Sequence, residues 1–180
     1  VLAALGAPAR VQVTRKVPGW WHPGRSGVIA LGPNTMATFG EVHPRVLAAL
    51  DVKGPAVAFT VEVARVPLPK TRTATRPALA ISDYQAVERD FAFVVDAWVE
   101  ALTAVNAAQG ADKALIESVR LFDQFTGDKA EAQMGAGKKS IALTVRMQAQ
   151  DRTLTEAEIE AACARIVDKV TKATGGTLRK

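Results

Sequence analysis

RDFAFVVDAWVEALTAVNAAQG, residues 89–110, changes hydrophobic period midway, and that change sets the architecture. From 89 to 96 the large apolar Phe91, Phe93 and Val95 alternate with Asp90, Ala92, Val94 and Asp96, the two-residue repeat of a strand with one packed face. From about Trp98 to Gln109 the repeat becomes helical, with Val99, Leu102 and Val105 on one face and Gly110 as a left-handed cap. Downstream, IESVRLFDQF (116–125) reads as a second strand and the polar GDKAEAQMGAG (127–137) as a loop. KSIALTVRMQ (139–148) is a third strand with Ile141, Leu143, Val145 and Met147 on one face. Thr155 and Glu158 have the spacing of a capping box and open a helix striped by Ile159, Cys163, Ile166, Val167 and Val170. Gly175 and Gly176 end that helix, and TLRK closes the chain as a short fourth strand.

The resulting βαββαβ order over residues 79–180 is the ferredoxin-like arrangement, two helices on one face of a four-stranded sheet. The other face stays open. Alternation assigns to it Ala92 and Val94 on the first strand and Ser140, Ala142, Thr144, Arg146 and Gln148 on the third. These are small or polar, whereas large apolar side chains would signal another covering layer. Such a face is free to receive a ligand, and single-stranded RNA suits its geometry.

Upstream, PLPKTRTATRPA (67–78) combines prolines, threonines and basic residues without apolar periodicity and reads as a linker. Before it, VQVTRK (11–16), GVIAL (27–31), TMATFGEV (35–42) and AVAFTVEVARV (56–66) read as strands, with HPRVLAAL (43–50) a short helix between them. Residues 1–66 are therefore expected to form a mostly antiparallel β module, truncated on its N-terminal side, and the chain as a whole is α+β.

With 48% hydrophobic and 23% charged residues the chain can bury a core, which excludes the disordered and fibrous classes. No apolar run reaches membrane-spanning length. The opening VLAALGAPAR has neither an initiator Met nor a basic leader, so no signal or transit peptide is read and Val1 is taken as a cut edge. One cysteine excludes an internal disulfide framework, and two histidines are too few for a structural zinc site; both suit a cytoplasmic protein. The net charge of +5 points to an anionic partner, but it is unevenly spread. Residues 1–78 carry 10 Lys+Arg against 3 Asp+Glu, a net +7, and residues 79–180 carry 13 against 15, a net −2.

Two blocks of sequence resemble one known family. GWWHPGRSG (19–27) with FGEVHPRVLAALDVKGPAVAFTVEV (39–63) resembles the end of the catalytic-like module of bacterial phenylalanine–tRNA synthetase β subunits. RDFAFVVD, SVRLFDQFTGD (118–128), GKKSIALTVRMQ and DRTLTEAEIEA (151–161) resemble the ferredoxin-fold anticodon-binding domain that follows it. The resemblance implies a tRNA(Phe) anticodon loop as partner and a place in an α2β2 assembly with the α subunit. That subunit would carry the catalytic site and use ATP and magnesium; the present chain would bind no cofactor and perform no catalysis. It further implies that bases meet the open sheet at Ala92, Asp123, Phe125 and Ser140, with Lys138, Lys139 and Arg146 beside them for phosphates. The family more usually has Tyr where Phe125 stands, so ring stacking survives here without a phenolic hydrogen bond. With a net charge of −2, the domain is expected to read bases rather than hold phosphates, long-range attraction coming from the linker and other subunits.

Read singly, these residues have plainer explanations. Strict alternation with Leu121 sends Asp123 and Phe125 to the packed face, and only a bulge near Phe122 returns them to the open one. Asp123 alone suits a turn or salt bridge, and Ser140 an ordinary strand hydroxyl. His22 and Arg25 sit in a His-Pro-Gly turn signal and are assigned structural roles; His43 caps or packs the short helix, and Cys163 is a buried small hydrophobe. Lys70, Arg72 and Arg76 form a basic cluster in the linker. Acylphosphatase-like chemistry, another use of this fold, lacks the Gly-rich anion loop with Arg after the first strand. Protein docking on the open sheet is the remaining alternative.

Overall fold

The structure, a computed structural model, describes residues 1–2, 4–8, 11–68 and 81–179, and the chain divides into two compact units, Val1–Pro77 and Ala78–Lys180. Most of the expected linker, with Lys70, Arg72 and Arg76, lies outside the described residues.

In the first unit β1 (Gln12–Thr14), β2 (Trp21–Leu31), β3 (Asn34–Val42) and β4 (Val57–Val61) make one antiparallel sheet in chain order. The helix expected at 43–50 is α1 (Pro44–Ala49), where His43 Nδ1 accepts from Arg45 N at 3.1 Å. The segment 56–66 is not one strand, since a 3₁₀ turn at Val63–Arg65 follows β4. The His-Pro-Gly signal is accommodated inside β2 rather than before it. Trp21 pairs with Val42 but Ser26 with Gly40, so the residues between them bulge out of the ladder. His22 Nδ1 accepts from Gly24 N at 3.1 Å and Ser26 Oγ donates to His22 O at 2.5 Å, closing the bulge on itself. Arg25 then lies across from Glu41 and donates to it through Nε and, at 2.9 Å, through Nη2. At Gly40, φ is 141° and an added Cβ would lie 2.4 Å from Ser26 Cα, so only glycine fits.

The second unit runs β5 (Val87–Asp96), α2 (Ala101–Gln109), β6 (Ile116–Phe125), α3 (Asp128–Met134), β7 (Lys138–Met147), α4 (Glu156–Thr174), β8 (Thr177–Leu178). Its antiparallel sheet has the order β6-β7-β5-β8, the ferredoxin-like topology. Phe91, Phe93 and Val95 on β5 and Ile141, Leu143, Val145 and Met147 on β7 form a buried layer with Ile159, Ala162, Ile166 and Val170 of α4. Each fully buried large side chain there stabilises the fold by about 1.5–3 kcal/mol. The Thr155 and Glu158 capping box is present, and Gly175 ends α4 in the left-handed conformation. Cys163 and Val167 lie at the margin of the buried stripe, and burial pushes the Cys163 thiol up.

Three details differ from expectation. The segment 127–137 contains α3, started by Gly127 at φ 85°, ψ −172°, a region that glycine alone adopts freely, and anchored by the fully buried Ala130. In α2 the buried positions are Ala104 and Ala108 while Leu102 is 39% exposed, because small residues set the close approach to the layer below. Gly110 stays right-handed (φ −84°), since Ala111 N donates to Ala108 O at 3.0 Å and prolongs the last turn.

Candidate nucleic-acid interface

On β7 the buried Ile141, Leu143, Val145 and Met147 face the helices, so Ser140, Ala142, Thr144 and Arg146 face the other way. Antiparallel register carries that assignment to both neighbours. Upstream in β6, Val119 pairs with Val145 and Leu121 with Leu143, on the helix side. The next pair is Asp123 with Ala142, which leaves Phe122 without a partner. This one-residue bulge reverses the alternation and puts Asp123 and Phe125 on the open face.

Three cross-strand rows build the platform. Phe125, Ser140, Val94 and Thr177 form one; Asp123, Ala142 and Ala92 form the next; Arg120, Thr144 and Asp90 form the third. Arg179 N donates to Ala92 O at 2.7 Å, placing Arg179 at the β8 end of the second row. The second row is thus a flat floor of two alanines between a carboxylate and a guanidinium. Asp123 is exposed, Phe125 and Ala92 are half-buried, and Ser140 is 4% exposed.

Charge pairing separates the groups on this face. Thr144 Oγ1 donates to Asp90 Oδ1 at 2.7 Å. Arg146 donates through Nε to Glu117 at 2.6 Å and through Nη1 to Glu88 at 3.3 Å; these bonds, Glu117 first, hold its guanidinium above its ordinary pKa. Lys138 Nζ lies 2.6 Å from Asp96 Oδ1. Asp123 and Arg120 have no hydrogen-bond or ion-pair partner among the described residues. A ligand can therefore engage these two charged side chains of the platform without breaking an existing pair.

The seven expected contacts do not form one cluster. Ala92, Asp123, Phe125 and Ser140 occupy two adjacent rows. Arg146 lies further along β7 and is held by two carboxylates, and Lys138 is neutralised by Asp96, so neither is a free phosphate ligand. Lys139 is displaced from the face altogether: it has the parity of Ile141 and is 7% exposed, which turns it toward the helix side. Sequence reasoning passed over Arg120 and Arg179. Arg120 was legible from the alternation of β6 upstream of Phe122, whereas Arg179 emerges only from the pairing of β8 with β5.

A face with a ring, an open carboxylate and small residues between them can stack an unpaired base and accept a hydrogen bond from its amino group. Comparison with known proteins points the same way. Residues 82–179 match the family described as "Ferredoxin-fold anticodon binding domain", and residues 1–63 the one described as "Phenylalanyl tRNA synthetase beta chain CLM domain". The chain is 77% identical over 179 residues to the phenylalanine–tRNA ligase beta subunit of Cereibacter sphaeroides. It is 64% identical over 180 residues to that of Ruegeria pomeroyi and 54% over 184 to that of Rhodospirillum rubrum. Each match covers 99% of this chain and 22% of the relative, so the chain spans about a fifth of the length of these curated relatives.

Proposed function

Because the chain belongs to the ferredoxin-fold anticodon binding domain family, we propose that its open sheet face reads unpaired bases of the tRNA(Phe) anticodon loop. The observation that carries this reading is the Phe122 bulge. It delivers Asp123 and Phe125 to the face away from the helices, with Asp123 lacking any partner among the described residues. Phe125 stacks a base, Asp123 accepts from an exocyclic amino group, Ala92 and Ala142 let the base lie close to the backbone, and the Ser140 hydroxyl addresses a base edge.

The role is one of recognition in support of ATP-dependent phenylalanine–tRNA ligation. The ligation itself belongs to an α subunit, with which the longer chain assembles as α2β2 in the cytoplasm. ATP and magnesium act at that subunit. Residues 1–66 serve as scaffold and residues 79–180 as the recognition domain, with residues 67–78 as the linker between them in the chain. No helix among the described residues is long and apolar enough to cross a membrane.

Titration of the chain with a fluorescently labelled tRNA(Phe) anticodon stem-loop tests the proposal. Binding is expected to weaken about tenfold or more in Phe125→Ala, since base–ring stacking is worth about 1–3 kcal/mol. Equal affinity for a stem-loop of scrambled loop sequence would overturn it.

A further inference from the structure

The open face does not end at the rows described above. Beyond Arg146 the same side of β7 presents Gln148, and there the segment leading into β5 folds over to make a cleft of about 400 Å³. Ile81, Ser82, Tyr84, Glu117, Arg146 and Gln148 line it. A cleft of that size lies within the range of small-ligand sites, about 300–1,000 Å³. Its wall is a fixed structure. Gln148 Nε2 donates to Tyr84 O at 2.6 Å, Ser82 Oγ donates to Ala149 O at 3.1 Å, and Tyr84 N donates to Ser82 Oγ at 3.3 Å. These bonds pin the turn that carries Tyr84, a residue that remains 38% exposed.

The chemistry of the cleft selects its occupant. Arg146 is already bound by Glu117 and Glu88, so the local charge is no longer positive, and the two carboxylates oppose a phosphate. What the cleft offers is an aromatic ring, a planar guanidinium held in place, and acceptors at Gln148 Oε1 and Glu117. Those features fit an uncharged planar ring with amino or imino donors, which describes a nucleobase. From Ser140 to Arg146 the platform extends six residues, about 20 Å at strand rise, which accommodates more than one splayed base. Between the two ends lies Arg120, exposed and without a partner among the described residues, where a phosphodiester would pass.

We propose that the Tyr84 cleft is a second base-binding site, taking an unpaired nucleotide that adjoins those held at Asp123 and Phe125. The inference rests on the anticodon-loop reading and extends it. Tyr84 is the single tyrosine of the chain, so a protein labelled in its tyrosine ring gives one set of ring resonances. On titration with the tRNA(Phe) anticodon stem-loop these resonances are expected to shift. An abasic substitution scanned through the loop should abolish the shift at one position while leaving Phe125-dependent binding in place. Tyr84→Ala should weaken binding by about tenfold, and Tyr84→Phe, which keeps the ring, by less than about twofold. Phe125-dependent binding with unmoved Tyr84 resonances, or with unchanged affinity in Tyr84→Ala, overturns the cleft site and leaves the anticodon reading standing. Absence of any stem-loop binding defeats that reading, and the cleft site falls with it.

Discussion

At Asp123 the proposed binding role and fold stability are expected to separate. With no partner in the free protein among the described residues, it contributes nothing specific to the fold, and Asp123→Asn is expected to change unfolding free energy by less than about 0.5 kcal/mol. The same substitution should weaken stem-loop binding, because an amide offers a weaker acceptor than a carboxylate. Thermal denaturation and titration of one preparation check both halves. The two central arginines of the open face should behave differently from each other. Arg120→Gln is expected to reduce the slope of log affinity against log salt by about 0.7, the value of one released counterion on a single strand. Arg146→Gln should leave that slope nearly unchanged, since its charge is spent on Glu117 and Glu88.

At the scale of elements, α4 depends on its first turn. Glu158 receives hydrogen bonds from Thr155 N at 2.9 Å, from Arg152, and from Thr155 Oγ1, and these hold its carboxyl at about 2 against an ordinary 4.5. A carboxyl whose pKa is depressed on folding stabilises the fold above its unfolded value and loses that contribution as pH falls. Stability measured by denaturant melts is therefore expected to decline between about pH 4.5 and pH 2, and less steeply in Glu158→Gln. Thr155→Ala should cost about 1 kcal/mol at neutral pH. The entry to β8 is equally constrained. A Cβ on Gly176 would lie 2.6 Å from Val94 O, so Gly176→Ala is expected to destabilise by about 1–3 kcal/mol in the same melts.

These elements were readable in advance because each carries a local signature: alternation in β5 and β7, a capping box and stripe in α4. The bulge in β6 was readable only as a condition, since Leu121, Asp123 and Phe125 alternate without a break and nothing local marks Phe122 as the extra residue. Helix α3 was hidden because it buries a single alanine and shows no apolar stripe. Lys139 was set beside the open face only through the family resemblance, whereas its parity with Ile141 turns it to the helix side.

Across the whole molecule the charge is divided, net +7 over residues 1–78 and −2 over residues 79–180. Specific contacts and long-range attraction should therefore be separable. Replacing Lys70, Arg72 and Arg76 together with glutamine removes three positive charges from the basic half. The triple variant is expected to associate with the stem-loop more slowly and with weaker salt dependence in stopped-flow measurements, while keeping its preference over a scrambled loop. Loss of that preference would place base discrimination outside the ferredoxin-like sheet.

Phe122 has a further consequence for how the chain tolerates change. From Val119 along β6 the demand for apolar character falls on odd numbers up to Leu121 and on even numbers from Gln124 onward, two rhythms half a period out of step. Removing Phe122 merges them into one, and Asp123 still meets Ala142. At this point the strand can lose a residue without exchanging its inside for its outside.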